Sequence, residues 1–131
     1  MPRRSLRSVA ECYRGREVRV FRLDREAAIT RLRERARALL DERPDVLEVR
    51  LFGSLARGQA RPGSDADLLV VVRSGAENAV ERSADIARYF SGTGIGCDVI
   101  VYTESEYRLL GERHTRFART MREEATTLAR R

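Results

Sequence analysis

The 131-residue sequence predicts an α+β fold in which helices pack on a small mixed β-sheet. Three apolar runs of strand length, over 46–52, 66–72 and 96–102, predict the core strands. Helical patterns precede the first strand and separate the second from the third. With 42% apolar and 35% charged residues the composition is globular. We therefore expect one domain over 1–131, with 1–16 as a basic N-terminal extension.

The elements before the first core strand follow from periodicity and turn residues. Residues 17–23 alternate like a short, half-exposed strand. Asp24 is then a suitable N-cap for a helix that runs to about Arg43 and is stopped by Pro44. The apolar face of this helix is predicted to contain Ala28, Leu32, Ala36, Leu39 and Leu40.

The remaining elements surround the three core strands. One helical turn is expected directly after the first strand, and the second strand is a continuous apolar run of the type covered on both faces. Residues 76–90 predict a helix, and residues from about 104 to the end are also predicted to be helical. The inward face of the 76–90 helix is predicted to contain Val80, Ala84, Ala87 and Phe90.

The distribution of charge bears on the class of partner. The net charge of +6 comes from arginine alone, and residues 1–19 contain six arginines and two glutamates, 6 − 2 = +4. Such charge attracts phosphate or nucleic acid, but a solvated surface is the favoured interpretation because aromatic stacking residues are few. A second cluster recurs every three residues in the C-terminal segment: Arg113, Arg116, Arg119 and Arg122.

Several other features point away from competing functions. The longest apolar run, Leu68 to Val72, is too short to cross a membrane, and no signal peptide is recognisable, so a cytoplasmic protein is expected. Cys12 and Cys97 lack the spacing of a zinc site or a disulfide framework. His114 is expected to be solvated, and the glycine-rich residues 92–96 are predicted to form a turn because no helix follows them.

Two acids at the start of the second strand require a physical reason. Asp65 and Asp67 are two residues apart on an extended segment, so their side chains leave the same face. Two carboxylates so close repel each other, and a divalent cation removes that cost. Mg²⁺ is favoured because it binds one or two carboxylates together with waters and substrate phosphates.

Gly53-Ser54 supplies a second half of the predicted site. At a junction between strand and helical turn, backbone N–H groups can hold phosphate oxygens, glycine permits close approach and serine adds a donor. If this pair and Asp65 bind one nucleotide, the first two strands run antiparallel. For Asp98 to reach the same edge, the third strand must run parallel to the second, and the 76–90 helix supplies the crossover.

The pattern Gly53-Ser54, ten residues, Asp65, one residue, Asp67 resembles the signature of the DNA polymerase beta-type nucleotidyltransferase superfamily. The stretches LFGSLARG and SDADLLVVV most resemble the minimal nucleotidyltransferases, or MNT family. The resemblance covers roughly residues 25–125, with the motif confined to 52–72.

The resemblance implies a nucleotidyltransferase fold in which Gly53 and Ser54 hold the triphosphate. It implies that Asp65 and Asp67 bind two Mg²⁺ ions, and that Asp98 is the third carboxylate, a metal ligand and the general base. Two further residues match common letters of the family: Arg57, assigned to nucleotide binding, and Ser64.

The implied reaction transfers a nucleoside monophosphate, AMP from ATP, to a hydroxyl group. MNT proteins frequently serve as antitoxins that adenylylate a tyrosine of a HEPN-type ribonuclease toxin. The expected partner is therefore such a toxin, or a second copy of the chain, since larger relatives use a further domain to select the acceptor. Two alternatives stay open: a small-molecule nucleotidyltransferase, such as one that modifies aminoglycosides, and a non-catalytic partner- or nucleic-acid-binding module.

Overall fold

The sheet and its helices are seen in a computed structural model that describes residues 14–59, 65–74 and 78–131. Side chains are described for 25–59, 65–74, 78 and 80–131. Cys12, Ser64, the start of the predicted 76–90 helix and most of the basic extension over 1–16 lie outside the described residues.

Four strands form one mixed sheet in the order β3-β2-β1-β4. β1 pairs antiparallel with both β2 and β4, and β2 pairs parallel with β3. The predicted strand directions are therefore confirmed, and the first two strands have the predicted bounds. The strands are β1 (Val46–Phe52), β2 (Ala66–Val72), β3 (Cys97–Thr103) and β4 (Thr126–Arg130).

In the described part of the chain, five α-helices flank these strands, and the short one directly after β1 is the predicted helical turn. The 76–90 prediction corresponds to one helix that tightens into a 3₁₀ turn over Arg88–Phe90. The helices are α1 (Arg14–Glu42), α2 (Gly53–Arg57), α3 (Ala79–Ala87), α4 (Glu104–Gly111) and α5 (Arg116–Glu123).

The side chains of β2 enter two apolar cores, one on each face of the sheet. Leu68 and Val70 pack with residues of α1 and α3, while Leu69 and Val71 pack with α4 and α5. This double burial explains the continuous apolar run in the sequence. The predicted apolar face of α1 is confirmed by its buried residues: Ala28, Leu32, Ala36, Leu39 and Leu40.

The predicted strand over 17–23 is wrong, because these residues belong to α1. Asp24 consequently lies within the helix and is not its N-cap. The alternation of apolar residues in 17–23 is short and also satisfies helical spacing, and no Gly or Pro stands between residues 16 and 43 to interrupt a helix. The C-terminal end agrees with the prediction, since α1 ends two residues before Pro44.

The prediction that everything after about 104 is helical is also wrong at its end. Two short helices are followed by β4, which pairs with β1 at Glu48–Leu51. β4 is short and rich in threonine, and Leu128 and Ala129 are its buried residues. Its strand character depends on pairing with a segment about 80 residues earlier, and a local pattern does not contain that information.

The predicted inward face of the 76–90 helix is confirmed at Phe90, which is buried, but not at Val80 and Ala84 of α3. Val80 is 78% exposed and Ala84 is exposed, whereas Arg82 and Ile86 are buried in the same helix. The Arg82 guanidinium donates to Glu106 Oε1 of α4 at 3.2 Å and to the Val101 carbonyl at 3.5 Å. The apolar pattern missed this face because a buried arginine requires a partner from a later helix.

None of the helices within the described ranges is both long enough and apolar enough to span a bilayer. The arginines of the second cluster, Arg113, Arg116, Arg119 and Arg122, are all exposed, and the last three of them lie on α5. The residues 92–96 form bends and turns, as predicted.

Two truncations in α3 test the corrected orientation of this helix. Ile86→Ala is expected to lower the free energy of unfolding by about 2–5 kcal/mol, because it leaves a cavity in the core. Val80→Ala, in the same helix, should change it by less than about 0.5 kcal/mol. Urea denaturation monitored by circular dichroism provides both values. Equal losses in the two variants would contradict the orientation of α3.

Candidate active site

Two of the predicted acids are direct neighbours across the sheet. Asp67 on β2 is in register with Asp98 on β3. Neighbouring strands lie about 4.8 Å apart, and in-register side chains of a parallel pair share one face. Asp65 stands immediately before β2, two residues from Asp67, so strand alternation directs it to that same face. Asp65 and Asp98 are exposed, while Asp67 is half-buried.

Gly53 places the end of β1 against Asp67. Phe52, the last residue of β1, is in register with Asp67, and Gly53 follows with a φ of 80°. This left-handed conformation favours glycine. A Cβ atom at Gly53 would also overlap Asp67 Oδ2. The carboxylate thus lies directly on the glycine backbone, and both the conformation and the contact require a residue without a side chain.

Ser54 follows Gly53 in the first turn of α2. The N-terminus of this helix, with Phe52 at the N-cap, has no side-chain capping bond. Ser54 is half-buried, and its hydroxyl has no hydrogen-bond partner within the described part of the chain. Donors at this point are therefore available to an anion that lies beside Asp67.

Arg57, at the end of α2, is hydrogen-bonded to the segment that follows α5. Its guanidinium donates to Glu124 Oε1, just after α5, at 3.3 Å and to Gln59 Oε1 at 3.1 Å. Both partners of the ion pair with Glu124 are partly exposed. Arg57 also acts on Asp67 through its charge, as described next. Arg57 is therefore close enough to Asp67 to affect its charge, but its guanidinium is already paired with Glu124.

The environment of Asp67 opposes its ionisation. Burial raises the pKa of Asp67 above its ordinary value of 3.8, the charges of Asp98 and Asp65 raise the pKa further, and the charge of Arg57 lowers it. Each of the two other acids therefore acts electrostatically on Asp67. The sheet concentrates negative charge at one rim, where a cation would relieve the repulsion.

A model of the nucleotidyltransferase domain matches residues 30–125, most of the chain and all of the predicted site residues. The chain belongs to the nucleotidyltransferase domain family. The resemblance inferred from the motif is thereby confirmed. A search of curated proteins gives no significant match.

Solved structures share the fold of this nucleotidyltransferase. A Sulfolobus solfataricus structure assigned as a nucleotidyltransferase has a TM-score of 0.60 and 24% identity, over 82% of this chain and 84% of that one. A toxin–antitoxin structure with AMP-PNP has a TM-score of 0.54 and 18% identity, over 79% and 73%. The structure of a mutant of the toxin–antitoxin pair MntA–HpeT has a TM-score of 0.50 and 17% identity, over 71% of this chain and 68% of that one. At these identities the likeness is one of fold.

The acids of this nucleotidyltransferase domain fit a magnesium ion by their chemistry. Carboxylate oxygens are the hard ligands that Mg²⁺ prefers, and the ion usually retains waters and substrate phosphates in its coordination shell. Among the described residues, no three acidic, histidine or cysteine side chains form a ready-made metal cluster. The strand register nevertheless sets Asp67 beside Asp98, and strand alternation directs Asp65 to the same face, so nucleotide phosphates can complete the shell at this rim.

Sequence reasoning missed several residues that shape this site. Glu124 pairs with Arg57, and Phe117 packs edge-on against Phe52 with ring centroids 5.4 Å apart, which fixes α5 beside the end of β1. Gly96 contacts the Asp65 carboxylate. The glycine is visible in the sequence two residues before Asp98, but the contact follows only from the strand pairing.

Replacing Asp67 with asparagine tests the electrostatic cost at this rim. Because the fold disfavours the ionised form of Asp67, Asp67→Asn should raise the free energy of unfolding of the metal-free protein at neutral pH by about 1 kcal/mol. As pH falls through the raised pKa of Asp67, the wild type should become more stable relative to Asp67→Asn. Below about pH 3.8 the two proteins should have the same free energy of unfolding. Urea titrations at several pH values provide the measurement.

The exposed Asp41 of α1 offers a matched control, since Asp41→Asn removes the same charge away from the acids. This variant is expected to leave stability unchanged. A destabilised Asp67→Asn protein at neutral pH would contradict the electrostatic interpretation.

Proposed function

We propose that this protein is a Mg²⁺-dependent nucleotidyltransferase that transfers AMP from ATP to a hydroxyl group on a partner protein. The supporting observation is the in-register pair Asp67 and Asp98, with Gly53 lying directly against Asp67. This arrangement brings together acids that can hold a cation and a backbone that phosphate oxygens can approach.

Each residue of the site has a role that follows from its position. Asp65, Asp67 and Asp98 would hold the magnesium, proposed as two ions, which when bound supplies charge stabilisation for the attacking and leaving oxygens. Gly53 leaves the backbone of the β1–α2 junction open to the triphosphate, and the Ser54 hydroxyl in the first turn of α2 donates to a phosphate oxygen.

Asp98 is the proposed general base. It is exposed at the rim, so an acceptor hydroxyl can reach its carboxylate oxygens. The acceptor oxygen bonds to the α-phosphorus, the bond from that phosphorus to the bridging oxygen breaks, and pyrophosphate leaves. The proton of the hydroxyl passes to the carboxylate of Asp98, which is a neighbour of Asp67 and hence of the ion-binding rim.

The proposed acceptor is a tyrosine hydroxyl of a HEPN-type ribonuclease toxin, for which this protein would be the antitoxin. Two observations support this class of acceptor: the fold is shared with toxin–antitoxin structures, and one of these contains the ATP analogue AMP-PNP. A small molecule as acceptor would use the same residues, so the acceptor has to be identified by experiment.

Incorporation of label from ATP tests the reaction. The protein is incubated with Mg²⁺, a HEPN-type protein and ATP labelled at either the α- or the γ-phosphate. Label is expected on the partner's tyrosine from α-labelled ATP alone, and removal of Mg²⁺ by a chelator should abolish it. Asp67→Asn should lower the rate by about a hundredfold or more, because a metal ligand is lost. The control variant Asp41→Asn should retain the wild-type rate.

The possible outcomes test separately the role of the acids, the identity of the acceptor and the enzymatic activity itself. Full activity of Asp67→Asn would refute the role of the acids. Transfer to an aminoglycoside or another small hydroxyl compound, with none to the protein, would replace the acceptor and leave the reaction unchanged. Absence of ATP binding and of any transfer would reject the enzyme and favour a non-catalytic binding module.

The ion pair between Arg57 and Glu124 generates a separate prediction. If Arg57 binds the triphosphate, Glu124 competes with the nucleotide for its guanidinium. Glu124→Gln should then tighten AMP-PNP binding about two- to fivefold, a factor in keeping with the strength of an exposed ion pair. Glu123→Gln removes the same charge one residue away and should have a smaller effect. Isothermal titration calorimetry gives the dissociation constants. If Glu123→Gln tightens binding as much as Glu124→Gln does, the cause is the change in net charge and not the loss of the ion pair.

A further inference from the structure

The glycine-rich segment before β3 contacts the first acid of the site. Ala66 N donates to the Gly96 carbonyl at 2.8 Å, which aligns the starts of β2 and β3. A Cβ atom at Gly96 would lie 2.5 Å from Asp65 Oδ1 and 3.3 Å from its Cγ. The carboxylate of Asp65 therefore occupies the space that any side chain at position 96 would need.

The segment that carries Gly96 is firmly held. Thr93 is 1% exposed, and its hydroxyl oxygen lies 3.1 Å from the Phe90 carbonyl and 3.0 Å from the Ile95 carbonyl, either of which can accept its one proton. Arg31 of α1 donates from Nε to the Thr93 carbonyl at 2.6 Å. These bonds connect the turn to α1 and to the end of the 3₁₀ turn. Gly96 consequently follows a turn that is hydrogen-bonded to α1, and its own carbonyl accepts from Ala66 at the start of β2.

We propose that Gly96 is a positioning residue for Asp65. This inference rests on the proposed function, in which Asp65 is a metal ligand. Gly96 leaves room for the Asp65 carboxylate in the way that Gly53 leaves room for Asp67. The φ of Gly96, unlike that of Gly53, lies outside the left-handed region, so its backbone conformation accepts an alanine and only the Asp65 carboxylate obstructs it.

The physical consequence of a methyl group at this position is a displaced carboxylate in an otherwise intact fold. Asp65 is exposed, and the atom that would collide is at the far end of its flexible side chain, so the side chain turns away and the strands remain. A ligand that is displaced in this way binds the metal more weakly, as is common when the support of a metal ligand is altered.

Gly96→Ala can be compared with a well-matched control, Gly111→Ala. A Cβ atom at Gly111 would meet no other atom within 4 Å, and this glycine also lies outside the left-handed region. The measurement is the Mg²⁺ concentration that gives half-maximal AMP-PNP binding by calorimetry, together with the midpoint of thermal unfolding without metal. Gly96→Ala should raise the half-saturating Mg²⁺ concentration about tenfold or more at a nearly unchanged melting temperature. Gly111→Ala should leave the Mg²⁺ dependence as in the wild type.

A double variant determines whether Gly96 acts through Asp65. Asp65→Ala alone should raise the half-saturating Mg²⁺ concentration, and Gly96→Ala should add nothing in that background, because no carboxylate remains to be displaced. If Asp65→Ala leaves the Mg²⁺ dependence unchanged, the proposed function is wrong for this residue. If Asp65→Ala weakens binding but Gly96→Ala behaves like Gly111→Ala, the positioning role alone is wrong. Additive effects in the double variant, or a lowered melting temperature of Gly96→Ala, would also overturn it.

Discussion

The site depends on the parallel, in-register pairing of β2 with β3, which sets Asp67 beside Asp98. Like charges at neighbouring positions on one sheet face repel, and the partial burial of Asp67 adds to the cost. The rest of β2 can hold this arrangement because its side chains enter apolar cores on both faces, with Leu68 on one side and Leu69 on the other. Stability is concentrated in the strand interior, and the unfavourable charge is confined to the rim where function is proposed.

The sequence predicted the elements whose signals are local. The strands 46–52 and 66–72 are apolar runs bounded by Pro44, by Gly53 and by a loop rich in Arg, Pro and Gly, and the structure has the same bounds. The helical start of α1, the strand β4 and the inward face of α3 were missed. The strand β4 and the inward face of α3 depend on interactions that the local sequence pattern does not contain. β4 forms by pairing with β1, and the burial of Arg82 depends on its hydrogen bond to Glu106. Intrinsic preference is overridden by such contacts.

The same distinction applies to the site. The spacing of Asp65 and Asp67, and the crossover that brings Asp98 to their edge, are consequences of strand geometry and could be derived from the sequence. The contacts of Glu124 with Arg57 and of Gly96 with Asp65 join segments separated by 67 and 31 residues, 124 − 57 and 96 − 65. Only the folded chain reveals which glycine faces which acid, so sequence reasoning treated residues 92–96 as an ordinary turn.

The strand order places two of the acids on different kinds of strand. Asp67 is on β2, which has a hydrogen-bonded neighbour on each side, whereas Asp98 is on β3, whose pairing in the described sheet is with β2 alone. An edge strand can detach in a local opening at lower free energy than a central one. Fraying of β3 would separate the proposed base from the aspartate pair without global unfolding, and amide hydrogen exchange in β3 would then report the fraction of molecules that are catalytically assembled.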